Sequence, residues 1–149
     1  YTLGQTSAPT AINGQWSTSA STSKSLTLNG LPGGALTLAQ TDPLTAASVQ
    51  ADVAGTWKAT AGGNAQTVSW TVAASGAVSG SSTTGCTYTG TLTAMGNASA
   101  YTAAFRETCS DGASTQFNGI ATLNSTKNAL SVVATSADES VGAALFLSK

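Results

Sequence analysis

Apolar and polar residues alternate along most of this chain with a period of two residues. The clearest run places Val68, Trp70 and Val72 between threonine and serine residues. Successive side chains of an extended strand point to opposite faces, so this alternation predicts strands with one face in a core and the other in water. From Gly55 onwards such runs recur about every 8 to 12 residues, a spacing typical of antiparallel barrels and sandwiches.

The N-terminal third is organised differently. Residues 1–13 contain small polar residues, a glycine and a proline, and predict a loose lead-in. Residues 14–41 predict N-terminal strands, in which leucine alternates with threonine twice. In residues 42–52, Asp42 suits a helix cap and Pro43 a first helical position. We predict one to three turns of helix there, or an irregular crossover.

Glycine-rich turns predict how the following strands pair. A two-residue loop at 63–64 places Trp57 opposite Trp70, and a three-residue loop at 74–76 places Trp70 opposite Gly80. A large ring that covers a glycine on the neighbouring strand stabilises a sheet. The two registers therefore agree with each other.

The next hairpin brings the two cysteines together. If its turn at 96–99 is symmetric, Gly90 lies opposite Phe105, and the same register places Cys86 opposite Cys109. Such partners lie about 4.5 to 5.5 Å apart at Cα, within the range that a disulfide spans. We predict a Cys86–Cys109 disulfide; in the alternative, both thiols are free, buried and inert.

Three further strands, at 116–123, 129–134 and 141–147, complete a β-meander over residues 54–149. The last strand is apolar on both faces around Phe146, so we expect it to be covered. The predicted fold is all-β: an antiparallel barrel or barrel-like sandwich of about eight to ten strands with one short helix. The length of 149 residues fits a single domain.

Charge is scarce in this sequence. Charged residues make up 7% of the chain, against about 25% in an ordinary soluble domain, and the net charge is −1. The five basic residues are scattered, so the basic patch that nucleic-acid binding requires is absent. No apolar run approaches the roughly 20 residues of a membrane-spanning helix. The start at Tyr1 is compatible with removal of an upstream segment.

The sequence offers little catalytic chemistry. Histidine is absent, which removes the base of Ser-His and Cys-His nucleophiles. The pairs Glu107 with Asp111 and Asp138 with Glu139 are candidates for glycoside chemistry, but their positions favour solvated charges in turns and at strand ends. Two cysteines cannot complete a four-ligand zinc site, and no loop has the carboxylates that calcium needs. We expect no enzyme activity, no cofactor and no metal site.

Five aromatic residues share the predicted inner face of the strands. The simpler interpretation is that they form the hydrophobic core. In the other, they line the mouth of a small barrel that holds an apolar ligand. These residues are Trp57, Trp70, Tyr88, Tyr101 and Phe105.

Two resemblances bear on function. Gly55-Thr56-Trp57, with the segment 75–80, resembles the opening of the avidin and lipocalin barrels, although the later tryptophans of a biotin site are missing. A wider similarity, over residues 43–149, rests on Gly55-Thr56-Trp57, the Gly-Cys-Thr-Tyr-Thr-Gly-Thr run at 85–91, Cys109 and the Gly-Ile-Ala at 119–121. On these motifs the chain resembles uncharacterised exported proteins and lipoproteins of Gram-negative proteobacteria, Burkholderia-like surface antigens included.

The wider resemblance implies an exported protein of the cell surface, outer membrane or periplasm, with a lipid anchor upstream of Tyr1. Three hypotheses follow. The first is a non-enzymatic, monomeric surface protein that host antibodies recognise. The second is a calycin-like carrier of a small apolar molecule. The third is a fimbrial subunit, which would complete its fold with a strand from a neighbouring subunit.

Overall fold

The computed structural model describes residues 13–18, 24–29, 34–39, 46–61 and 66–149. The chain divides into two compact units, Tyr1–Pro43 and Leu44–Lys149. The lead-in predicted for residues 1–13 lies outside the described residues except for Asn13, and the single domain stays a prediction.

The N-terminal unit contains an antiparallel sheet of three strands in the order β1-β2-β3. The strands are β1 (Asn13–Thr18), β2 (Lys24–Asn29) and β3 (Leu36–Ala39). In the register, leucine lies opposite leucine, while Thr27 and Thr37 form a cross-strand pair whose hydroxyl oxygens are 3.3 Å apart. The alternation of leucine with threonine therefore predicted these strands correctly.

The first described residues of the C-terminal unit are 46–53, which we call the strap. Residues 46–49 have no regular structure, and a single 3₁₀ turn follows at Gln50–Val53. The prediction for 42–52, one to three turns of helix or an irregular crossover, agrees with the described part of this range, where an irregular stretch leads into one turn; 42–45 lie outside it. Residues 46–49 form no helical ladder. The reason is that the backbone N–H of Ser48 donates to the carbonyls of Met95 and Ala98, both at 3.1 Å, in a distant loop. Those bonds take the place of a helix ladder.

Eight antiparallel strands then close into a barrel in which each strand pairs with its sequence neighbours and the last pairs with the first. This confirms the all-β barrel. The strands are β4 (Gly55–Ala61), β5 (Gln66–Val72), β6 (Ala77–Ser82), β7 (Cys86–Ala94), β8 (Tyr101–Cys109), β9 (Ser114–Leu123), β10 (Ala129–Ser136) and β11 (Gly142–Ser148).

The predicted hairpin registers are confirmed. Trp57 pairs with Trp70, and Trp70 pairs with Gly80. Gly90 pairs with Phe105. A Cβ atom placed on Gly80 would lie 2.5 Å from Trp70 Cδ1, and one on Gly90 would lie 2.5 Å from Phe105 Cα. Both glycines therefore leave the space that the neighbouring aromatic residue occupies.

The core follows from the alternation, because every second residue of each strand points into the barrel. Trp57 and Trp70 have no exposed surface. The ring centroids of Trp70 and Phe105 are 5.0 Å apart, and those of Phe105 and Phe117 are 5.2 Å apart. Aromatic contacts therefore run across several strands of the interior.

The last strand is less covered than its sequence predicted. Leu147 is buried, but Phe146, on the outer face, is 71% exposed. In the part of the chain that the structure describes, β11 pairs with β10 over seven positions and with β4 through Ser148 and Lys58. The inner face of β11 is thus buried as expected, whereas its outer face is not. The reason is that β11 pairs with its neighbours along its edges, so its outward side chains stay in water.

Candidate functional site

The two cysteines form a disulfide at the junction of β7 and β8. Their Cα atoms are 3.9 Å apart, and the structure leaves no free cysteine. Cys86 is buried and Cys109 half-buried. The predicted Cys86–Cys109 bond is therefore confirmed.

Beside the disulfide, two polar side chains meet inside the barrel. The Tyr88 hydroxyl donates to Glu107 Oε1 at 2.8 Å. Burial, and then the hydrogen bond to Glu107, raise the pKa of Tyr88 to about 12. Ligand atoms of Cys86, Glu107 and Cys109 lie within 4.8 Å of one another. Because both sulfur atoms are bonded to each other, they offer no thiolate of the kind that zinc binds.

Two other candidate carboxylates, Asp111 and Asp138, hold turns together. Asp138 accepts hydrogen bonds from the hydroxyls of Ser136 at 2.6 Å and Ser140 at 2.8 Å, which lower its pKa to about 2. Asp111 accepts one from the backbone N–H of Ala113 at 2.9 Å. The structure therefore gives the two aspartates local roles that short polar turn residues commonly have.

All five residues of the predicted apolar pocket lie in the hydrophobic core. Trp70 contacts both Tyr88 and Phe105 through its ring, with the Tyr88 centroid at 5.8 Å. Phe117 belongs to the same group of rings, although the sequence interpretation did not include it. The indole N–H of Trp70 has no hydrogen-bond partner among the described residues.

The strap is hydrogen-bonded to one end of the barrel. The side-chain amide of Gln50 donates to the Leu92 carbonyl and accepts from the Ala94 N–H, both at 2.8 Å. The Trp57 indole donates to the Val53 carbonyl at 2.8 Å, and the Lys149 ammonium lies 4.7 Å from the Trp57 ring centroid. Sequence patterns gave no signal for Gln50 or Lys149, since both bind partners far away in the chain.

A cavity of about 330 Å³ opens between the strap, the β7–β8 loop and the β9–β10 turn. Tyr101 is the one residue of the predicted pocket that lines it. Its hydroxyl donates to the Val49 carbonyl at 2.8 Å, and its pKa is raised by burial and by the charge of Asp52. Asp52 forms an ion pair with Lys127, with Oδ2 and Nζ 2.8 Å apart.

Comparison with known protein families, curated proteins and solved structures found no match to this chain. The resemblances drawn from its motifs therefore stay predictions. In the described part of the chain, no helix has the length and apolar character to cross a membrane.

Proposed function

We propose that this chain is a non-enzymatic, exported bacterial protein that acts at the cell surface through the outer face of a rigid barrel. The observation that carries the proposal is the Cys86–Cys109 disulfide. Structural disulfides persist in oxidising compartments and are rare in the cytosol, where thiols are kept reduced. The disulfide therefore supports a location outside the cytoplasm.

The outer face supports a role in recognition. Thr87, Thr89, Thr91 and Thr93 are exposed in a row along β7. On β9 to β11 the exposed residues include Ile120, Val133 and Phe146. A firm framework that presents both polar and apolar side chains is a surface of the kind that antibodies bind, with aromatic residues as anchors. We include host antibodies among the partners on this ground.

The non-enzymatic part of the proposal rests on how the carboxylates are used. Asp111 and Asp138 each accept hydrogen bonds within their own turns. Glu107 accepts the Tyr88 hydroxyl. Paired carboxylates in glycoside hydrolysis must instead face a shared substrate from two sides.

Surface location can be tested on intact cells that make the protein with its natural upstream sequence. We expect antibody against the barrel to bind intact cells and added protease to remove that signal, while a periplasmic control protein stays protected. Protection until the outer membrane is permeabilised would place the protein in the periplasm and overturn the surface role. Free thiols on cytoplasmic protein would overturn export itself.

A calycin-like carrier is the second candidate, because two observations favour it. At one end of the barrel, Gln50 of the strap binds the Leu92 carbonyl, and the Lys149 ammonium lies over the Trp57 ring. Inside, the Trp70 indole N–H has no partner among the described residues, so an acceptor on a bound molecule would satisfy it. Mass spectrometry of the intact protein under native conditions should then detect a bound apolar molecule, and Trp70→Phe should reduce its retention. A protein without bound molecules that takes up no apolar dye would exclude the carrier.

A further inference from the structure

The cavity beside the strap has walls that are fixed by hydrogen bonds. The Ser48 hydroxyl donates to the Ala100 carbonyl at 2.7 Å, and the Ser99 hydroxyl donates to the Ala46 carbonyl at 2.8 Å. The Tyr101 hydroxyl is bound to Val49. These groups hold the strap against the loops, so the cavity is a formed part of the fold. Its volume of about 330 Å³ is enough for one small ligand.

The polar groups that remain for a ligand are the Asp52 carboxylate, the Lys127 ammonium and the exposed Ser125 hydroxyl. Asp52 and Lys127 are paired at 2.8 Å, and Asp52 is the less exposed partner. An ammonium has three donors and a carboxylate accepts several hydrogen bonds, so each can bind a further group while the pair stays intact. The cavity therefore offers strong donors and strong acceptors side by side.

The ion pair also decides the charge of the ligand. An anion bound to Lys127 would lie next to the Asp52 carboxylate, and a cation bound to Asp52 would lie next to the Lys127 ammonium, so either ligand meets a like charge. A neutral ligand with both donors and acceptors meets no such cost. Hydroxyl groups meet this requirement, because each donates one hydrogen bond and accepts others.

The remaining wall is apolar. Val49 is 56% exposed where it lines the cavity, and Leu123 contributes a half-buried side chain. A ligand with hydroxyls on one edge and C–H groups on a face fits this division between Asp52–Lys127 and Val49–Leu123. Burial of that face removes apolar surface from water on both sides.

We propose that this cavity binds a neutral sugar residue, with hydroxyls on Asp52 and Lys127 and a C–H face on Val49 and Leu123. The site lies outside the aromatic interior and does not depend on where the protein works. It adds a ligand that neither the surface role nor the carrier of apolar molecules includes.

The test is a nitrogen-15 NMR titration of the whole chain with glucose, galactose, mannose and N-acetylglucosamine in turn. We expect at least one sugar to shift the amide signals of Val49, Ser125 and Lys127 in a saturable way. Signals of the β10–β11 turn, at the opposite end of the barrel, should not move. No saturable shift with any of the four sugars would overturn the proposal.

Acetate, methylammonium and glycine serve as charged probes of similar polarity. If one of these shifts the cavity signals more strongly than every sugar, the cavity is an ion or zwitterion site and the proposal is wrong. Weaker or absent shifts with all three support the argument from the Asp52–Lys127 pair.

Two substitutions make the test specific. Lys127 has a positive φ of 57°, which asparagine tolerates, so Lys127→Asn removes the charge and keeps the turn. Loss of a charge-assisted hydrogen bond should weaken sugar binding about tenfold or more. Glu139, also at φ 57°, is the matched control, since Glu139→Asn changes the opposite end of the barrel and should leave affinity unchanged. Equal affinity in both variants would contradict the site.

If Lys127→Asn fails to fold, Val49→Ser tests the apolar wall instead. Val49 is largely exposed, so its replacement should leave the fold intact while the affinity for the sugar falls. An unchanged affinity in Val49→Ser would contradict the proposed contact with the C–H face.

Discussion

Two junctions between neighbouring strands of the same barrel, which we call the β7–β8 seam and the β4–β11 seam, differ greatly in the interactions that connect their strands. β7 and β8 pair over nine positions, share a disulfide, and carry the Tyr88–Glu107 hydrogen bond between opposite residues. Among the described residues, β11 and β4 pair through Ser148 and Lys58, and the Lys149 ammonium lies over the Trp57 ring at the strap end of this junction.

The difference follows from distance along the chain. β7 and β8 are joined by a short loop, so their pairing costs little loop-closure entropy. β4 and β11 stand at the two ends of the barrel sequence, so their pairing closes a much longer stretch of chain and costs more entropy. The long-range seam therefore has one pair in register beside the buried Trp57, whereas the local seam has a ladder of nine pairs.

The largest expected effect on stability is at the β4–β11 seam. Trp57→Ala removes a fully buried ring, its hydrogen bond to Val53 and the surface on which Lys149 lies. We expect the free energy of unfolding to fall by about 3 to 5 kcal/mol, as for other buried aromatic residues replaced by alanine. Urea denaturation measures this. Lys149→Met, which removes the charge over Trp57, should cost about 1 kcal/mol, and a larger loss than in Trp57→Ala would contradict this account of the seam.

The next largest effect on stability is at the β7–β8 seam. Replacing Cys86 and Cys109 together by serine removes a bond between residues 23 positions apart. The chain-entropy model gives a loss of about 3 kcal/mol for a loop of this size. Because the ladder remains, we expect the double variant to fold, and thermal unfolding with and without reductant should show a shift in the natural protein only. An unfolded variant would mean that the ladder does not hold this seam by itself.

A smaller loss of stability is expected when a side chain is added at Gly90, which leaves room for Phe105. Gly90→Ala would place its Cβ 2.5 Å from Phe105 Cα, so the strands must shift. Overpacking of this kind costs about 1 to 3 kcal/mol. Gly96→Ala is the control, since nothing lies within 4 Å of a Cβ there. Equal stability of the two variants in urea would show that β7 and β8 adjust freely.

The smallest effect is one of pH. The pKa of Tyr88 is raised from 10.0 to about 12, so the folded state holds its proton more tightly than the unfolded state does. Stability from this group is present below pH 10 and is lost as the pH rises towards 12. Tyr88→Phe should remove one late-titrating tyrosine from the tyrosinate absorbance, whereas Tyr101, whose pKa is also raised, should still titrate late in the variant. A Tyr88 that titrates at its ordinary pKa of 10.0 would show that neither its burial nor its bond to Glu107 persists in solution.

Short turns made the strand registers predictable from the sequence. The loops at 74–76 and 96–99 set the registers of Trp70 with Gly80 and of Cys86 with Cys109, and both are confirmed. Over 42–52 the sequence left a helix and an irregular crossover both open. The described part has an irregular stretch and one 3₁₀ turn, because local capping signals cannot include bonds such as that from Ser48 to Met95. The aromatic residues were correctly placed in the interior, but the cavity beside the strap combines residues from three distant segments.

The sequence by itself determined the strands, their inward faces and the disulfide, because alternation and turn geometry act over a few residues. The tertiary structure decided how the barrel closes, what the strap covers and where a cavity remains. Those features depend on Gln50, Lys149 and Asp52, whose partners in space are about 40 to 100 residues away in the chain. No local pattern records such partners, since a glutamine or lysine in a loop has the same neighbours in sequence whether it binds across the barrel or faces water.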